Sequence, residues 1–115
     1  MKNTVSVKRN NDFRAIYKRG RSAVSPVLVV YTRKSKNTFN RLGITVSTKV
    51  GKAVVRNRVR RRIREAYRKN EALIKQGIDI VVVARVRAAV SSFSEIEKNL
   101  LRCYSSLGIL EVEQK

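Results

Sequence analysis

Histidine and tryptophan are missing from this 115-residue chain, and cysteine, proline and methionine occur once each. Without histidine, the commonest general base and the commonest zinc ligand are gone. A lone thiol, Cys103, excludes an internal disulfide and fits a reducing cytoplasm; on an apolar stripe it reads as a core residue. Acids are scarce too, 8 against 27 lysines and arginines. None of them pair at a spacing that suggests a two-metal site. Asp12, Glu95 and Glu97 sit at expected helix starts, where the helix dipole favours an acid, and Asp79 opens a strand. No apolar run approaches the ~20 residues of a membrane span, and residues 1–6 contain no apolar signal-peptide core. Side-chain catalysis, a protein-bound metal and a membrane partner are all unexpected.

What is present is positive charge, unevenly placed. The net charge is +19, and residues 1–69 hold 21 of the 27 cations against only Asp12 and Glu65. The remaining 46 residues are balanced, six cations against six acids. Self-repulsion on this scale opposes compaction unless a polyanion relieves it, and cations set on phosphates release counterions. The apolar fraction, 43%, still supports one core of Val, Ile, Leu and Ala. A single RNA-binding domain over 1–115 is expected, with its core at about 8–108 and frayed termini, Glu111 to Lys115 included.

Local patterns order the chain. A helix is predicted over 11–19, capped by Asn11 and ended by Gly20 in the left-handed conformation, with Phe13, Ile16 and Tyr17 on one face. Residues 27–33 form a β-branched strand with Val27, Val29, Tyr31 and Arg33 on one face; a polar hairpin loop over 34–40 leads to a second strand, 41–47. There Leu42, Ile44 and Val46 share one side, and the small Gly43, Thr45 and Ser47 leave room for a ligand or a partner on the other. Whether a short strand near Lys49 and Val50 follows stays open. Residues 78–84 are apolar on both faces, as in a central covered strand. The last helix, 95–107, has a capping-box start at Ser94 and Glu97. The order α-β-β-(β)-α-β-α predicts an α/β two-layer sandwich.

Between them, residues 49–69 carry ten cations and one acid yet keep apolar residues at helical spacing. A helix over about 53–69, running on as far as Lys75, buries Val55, Val59, Ile63, Ala66 and Tyr67. It presents Asn57, Arg60, Arg61, Arg64 and Arg68 outward, with Arg58 and Arg62 flanking the stripe and Arg56 at its edge. Guanidinium groups bind phosphate bidentately at every accessible pH, and Asn57 adds a donor and acceptor for a base edge or 2′-hydroxyl. Gly51, beside Lys49 and Lys52, either offers backbone amides to a phosphate or only supplies a turn. Phe13, Tyr17 and Tyr31 either pack a core, which spacing alone favours, or stack on unpaired bases. Structured RNA is the favoured partner. A structural RNA-binding protein of ribosomal type is the alternative; DNA is disfavoured, because one basic helix in an α/β domain lacks dimer logic.

Gly43 to Ser47, followed by Lys49 to Glu65 with its Ala53-Val54-Val55-Arg56-Asn57-Arg58 core, resembles the signature of the bacterial ribonuclease P protein subunit. The likeness extends to Asn11-Asp12-Phe13-Arg14, Tyr17 to Gly20, Val30-Tyr31 and Asp79 to Arg85. It implies a ribosomal-protein-like fold with a left-handed βαβ crossover. It also implies a protein cofactor of a catalytic RNA that removes the 5′ leader of precursor tRNA, using Mg2+ bound mainly by RNA and none by the protein. By that match Arg56, Asn57, Arg60, Arg61 and Arg64 contact the catalytic RNA, with Lys52 and Arg68 beside them. Phe13, Tyr17 and Tyr31 line a leader-binding cleft, which reverses the preference for core packing. No catalytic residue is implied.

Overall fold

A computed structural model describes residues 3–111. The elements in chain order are β1 (Thr4–Ser6), α1 (Asn10–Arg19), β2 (Arg21–Val24), β3 (Leu28–Lys34), β4 (Asn40–Thr45), α2 (Ala53–Asn70), β5 (Ile78–Ala84) and α3 (Phe93–Leu107), with 3-10 turns at Glu71–Leu73 and Val86–Val90. One five-stranded mixed sheet has the order β1-β4-β5-β3-β2. The doubly apolar β5 lies at its centre, parallel to β4 and antiparallel to β3. α2 therefore forms the crossover between the parallel neighbours β4 and β5.

β5 alternates between two cores. Ile80, Val82 and Ala84 face the main one, where Leu28, Val30 and Leu42 meet Val59, Ile63 and Tyr67 of α2 and Ile96, Leu100 and Leu107 of α3. Val81 faces a smaller core with Val7 and Ile16, against which Phe13, Tyr31 and Val83 pack. The sheet and α2/α3 form the two-layer sandwich, and α1 lies across the opposite face. The buried stripe of α2 is the expected one, save that Val55 is only half-buried.

Several local expectations are corrected. Residues 34–40 are not a hairpin loop, because β5 inserts between β3 and β4; its apolar side chains need cover on both faces, which the central place provides. Lys49 and Val50 lie in a turn, and α2 stops at Asn70 before a 3-10 turn instead of reaching Lys75. β1 and β2, unforeseen, are short edge strands of mainly polar sequence, and β1 ties down an N-terminus expected to fray. At the other end Glu111 donates its backbone N–H to Leu73 O at 2.6 Å; the fraying expected further on lies outside the described residues.

The capping box of α3 is Ser92 with Glu95, two residues earlier than Ser94 with Glu97. Both registers satisfy the Ser-x-x-Glu pattern. The earlier one leaves Glu97 free to accept from Asn70 at 2.9 Å and to pair with Lys69 at 3.4 Å across the α2–α3 interface. Asn11 does not cap α1: Arg9 occupies that position without a side-chain bond. Gly20 ends α1 at φ −83°, not left-handed. Glycine is needed there because a Cβ would stand 2.5 Å from Ile16 O and 2.6 Å from Thr32 O.

Candidate nucleic-acid interface

The arginines of α2 fall into two groups that the sequence alone does not separate. Arg58 and Arg62, flanking the apolar stripe, turn toward the loop before α3. Arg58 Nη2 donates to Ala89 O at 2.9 Å and Arg62 Nη1 to Ser91 O at 2.7 Å. Both are half-buried and hold that loop with charge-assisted bonds. Arg61, Arg64 and Arg68 are exposed, as are Asn57 and Lys52, and Arg60 is partly so. Arg60 Nη1 donates to Asn57 Oδ1 at 3.0 Å, which aims the pair together. Arg68 is bound to Glu65 at 2.6 Å, so its charge is partly neutralised in place. Among the described residues no carboxylate pairs with Lys52, Arg56, Arg60, Arg61 or Arg64.

At the start of the helix, Arg56 packs its stem at the apolar edge, and its Nε donates to Gly51 O at 3.1 Å. Gly51 does not offer its amide to a ligand; that N–H donates to Thr48 O at 3.2 Å, so the residue serves the turn. Lys52, the N-cap residue, gives no side-chain cap, and the first turn has no acid. The N-terminal amides of α2 are thus left to solvent or an anion.

Gly43 and Thr45 of β4 face α1, and part of the room their small side chains leave is filled. The Phe13 ring lies over Gly43, where an added Cβ would come within 2.6 Å of Phe13 Cε1. Beyond it the aromatics assemble. Phe13 and Tyr17 have ring centroids 6.3 Å apart, and Tyr17 meets Tyr31 edge-on at 4.9 Å. The Tyr17 hydroxyl shares a 3.1 Å hydrogen bond with Thr45 Oγ1. Phe13 and Tyr31 are half-buried and Tyr17 is 36% exposed. Phe13 and Tyr17 line an open cavity of about 330 Å³ together with Asn10, Arg14 and Thr45, and Tyr31 stands behind Tyr17 without lining it. The three predicted aromatics form one cluster, part core and part cleft wall, with a cation, Arg14, at its edge.

A group that sequence reading missed anchors α1 beside this cleft. Asp79, whose side chain is 1% exposed, accepts from Arg41 Nε and Nη2, both at 2.8 Å, and from Arg33 Nε at 3.1 Å. Arg41 Nη1 reaches Asp12 of α1 at 3.2 Å, tying helix to sheet. Burial alone would push the Asp79 carboxyl up, but hydrogen bonds and charge from Arg41 and Arg33 outweigh it and hold the carboxyl below its ordinary value. Hydrogen bonding to Asp79 outweighs burial and raises Arg41 further above its own. The three residues are cross-strand neighbours only in the observed register, Arg33 opposite Asp79 and Asp79 opposite Arg41, so spacing carried no signal of them.

Comparison with known proteins identifies the family. The ribonuclease P family model matches residues 1–108. The chain is 49% identical over 98 residues to the ribonuclease P protein component of Clostridioides difficile, covering 84% of this chain and 86% of that protein. It is 40% identical to the corresponding protein of Alkaliphilus oremlandii, covering 96% of each. Among solved structures, the RNase P protein of Staphylococcus aureus superposes with a TM-score of 0.84 at 37% identity, covering 90% of this chain and 95% of that one. That of Thermotoga maritima gives 0.78 at 34% identity, covering 95% and 98%. Sequence and fold agree over most of the chain, and the chain belongs to the bacterial ribonuclease P protein family.

Proposed function

We propose that, as the protein component of ribonuclease P, this chain lays the outer face of α2 on the catalytic RNA and holds the 5′ leader of precursor tRNA in the aromatic cleft beside α1. The sorting of the α2 arginines carries this reading. Arg58 and Arg62 are turned to loop carbonyls, and among the described residues no carboxylate pairs with Arg60, Arg61 or Arg64. Such a face screens phosphate repulsion and releases counterions from a folded RNA. Arg56, Asn57 and Lys52 extend it around the start of the helix, and Arg68, shared with Glu65, ends it.

Phe13, Tyr17 and Tyr31 supply the stacking surface that a flexible, unpaired leader needs and that a mature tRNA lacks. The protein positions and the RNA cleaves. Magnesium ions, held mainly by the RNA when bound, would supply the positive charge for activating water and for the leaving oxygen. Among the described residues no group of three or more His, Cys, Asp or Glu is placed to hold a metal. No helix among them is long and apolar enough to cross a membrane; a cytoplasmic location follows from the proposed role in tRNA maturation, not from that absence.

The test is cleavage of precursor tRNA by the catalytic RNA at low magnesium, with and without the protein. The protein is expected to stimulate the RNA and to cleave nothing alone. Phe13→Ala and Tyr31→Ala are expected to weaken binding of leader-bearing substrate by about 1–3 kcal/mol and leave leaderless tRNA unaffected. Equal losses on both substrates would contradict the cleft assignment.

A further inference from the structure

On the other flank of α1 lies a second cavity, of about 390 Å³, that shares no lining residue with the aromatic cleft. Arg19, Arg33, Lys34, Lys36 and Arg41 line it, against two carboxylates, Asp12 and Asp79. Neither acid is available to the cavity's other cations. Asp79 is buried between Arg33 and Arg41, and Asp12 is engaged by Arg41. Arg41 spends all three of its nitrogens on these acids. Arg33 does not: only its Nε is engaged, at 3.1 Å, and among the described residues its two η nitrogens have no partner. With its side chain 26% exposed, Arg33 is a guanidinium fixed from behind by a buried carboxylate and open in front. That is the pre-organisation a bidentate phosphate contact needs. Arg19, Lys34 and Lys36 are exposed around it, with no carboxylate partner among the described residues.

We propose that this cavity is a second anion site, which takes a phosphodiester of the precursor's 5′ leader upstream of the nucleotides in the aromatic cleft. The leader is favoured over the catalytic RNA by position. Arg33, Asp79 and Arg41 lie on the same sheet face as Tyr31, Val81 and Gly43, the face that α1 crosses, whereas α2 packs on the opposite one. The site extends the cleft assignment and rests on it for the identity of the strand. It also gives the β3–β4 connection a role, since Lys34 at the end of β3 and Lys36 just after it line the cavity where the chain passes the start of β5, with Ser35 N–H bonded to Gly77 O at 2.9 Å.

The experiment uses holoenzyme reconstituted from full-length protein carrying the exposed pair Lys34→Ala/Lys36→Ala, and separately Arg33→Gln. Affinity is measured for precursor tRNA with a leader just filling the cleft, for one extended upstream, and for the catalytic RNA. The extended leader is expected to weaken about tenfold, the effect of losing one charge-assisted hydrogen bond. Its log–log salt slope should fall by about 0.7 per lost phosphate contact. The short leader and the catalytic RNA should bind as before. No loss with the extended leader, or equal loss for both leaders, overturns the site. Loss confined to the catalytic RNA overturns the leader as its ligand. If Arg33→Gln proves misfolded by circular dichroism, the lysine pair decides alone. Phe13→Ala run in parallel separates the two readings: if it shows no leader dependence while the lysine pair does, the cleft falls and the phosphate site stands.

Discussion

Arginines two residues apart on α2, and so on opposite faces, should give opposite phenotypes. Arg64 is exposed and Arg60 partly so, and on the proposed interface replacing both with alanine would remove two phosphate contacts without touching the core. For folded RNA the log–log salt slope should become shallower by about 1.4–1.8. Over a fourfold rise in salt the wild type should therefore lose about seven- to twelvefold more affinity for the catalytic RNA than the variant does. Melting should barely move. Arg58 and Arg62 instead hold Ala89 O and Ser91 O at 2.9 and 2.7 Å. A hydrogen bond from a charged donor contributes about 1.5–3 kcal/mol, and partial exposure lowers this to about 1–2 kcal/mol each. With about 2.1 cal/mol/K of unfolding entropy per residue, a chain of 115 residues should melt about 4–8 °C lower for each one lost. Filter binding across a salt series, with thermal melts followed by circular dichroism, reads both effects. If Arg58→Ala/Arg62→Ala flattens the salt slope as much as Arg60→Ala/Arg64→Ala and leaves melting unchanged, the sorting of the helix is wrong.

Three further variants test the support of α1 and the cleft. Asp79→Asn should destabilise the protein by about 2–4 kcal/mol, below the full cost of breaking a buried pair because Arg33 and Arg41 can reach water. The Asp79 carboxyl is held low in the folded state, so its contribution is fully present above the unfolded value of about 3.9 and fades as pH falls through the folded one. Wild-type and Asp79→Asn melts should converge in acid, and a constant gap down the titration would show that the carboxylate's charge is not the source. Gly43→Ala should displace the Phe13 ring and weaken long-leader substrates at a cost of about 1–3 kcal/mol in stability. Gly20→Ala, meeting backbone oxygens at 2.5 and 2.6 Å, should cost more stability, and equal melting of the two variants would refute the distinction.

What could be read directly was whatever repeats at a regular interval along one element. The apolar stripe of α2, its outward cations, the doubly apolar β5 and the stripe of α3 are periodic, so composition and the helical or strand repeat were enough to assign faces. The small residues of β4 and the aromatics of α1 were visible for the same reason, although only the fold shows Phe13 seated on Gly43. What spacing could not show depends on which strand lies beside which. β5 enters between β3 and β4, which turns an expected hairpin into a crossover and brings Asp79 between Arg33 and Arg41. The short edge strands β1 and β2 carry too few residues for a pattern, and two Ser-x-x-Glu registers competed to start α3 until Glu97 met Asn70 and Lys69. Charge type and helix face are local properties, fixed within a turn or two of chain. Whether a given arginine holds a loop carbonyl, a buried carboxylate or nothing at all depends on atoms 29–46 positions away in the chain, which only the folded molecule brings together.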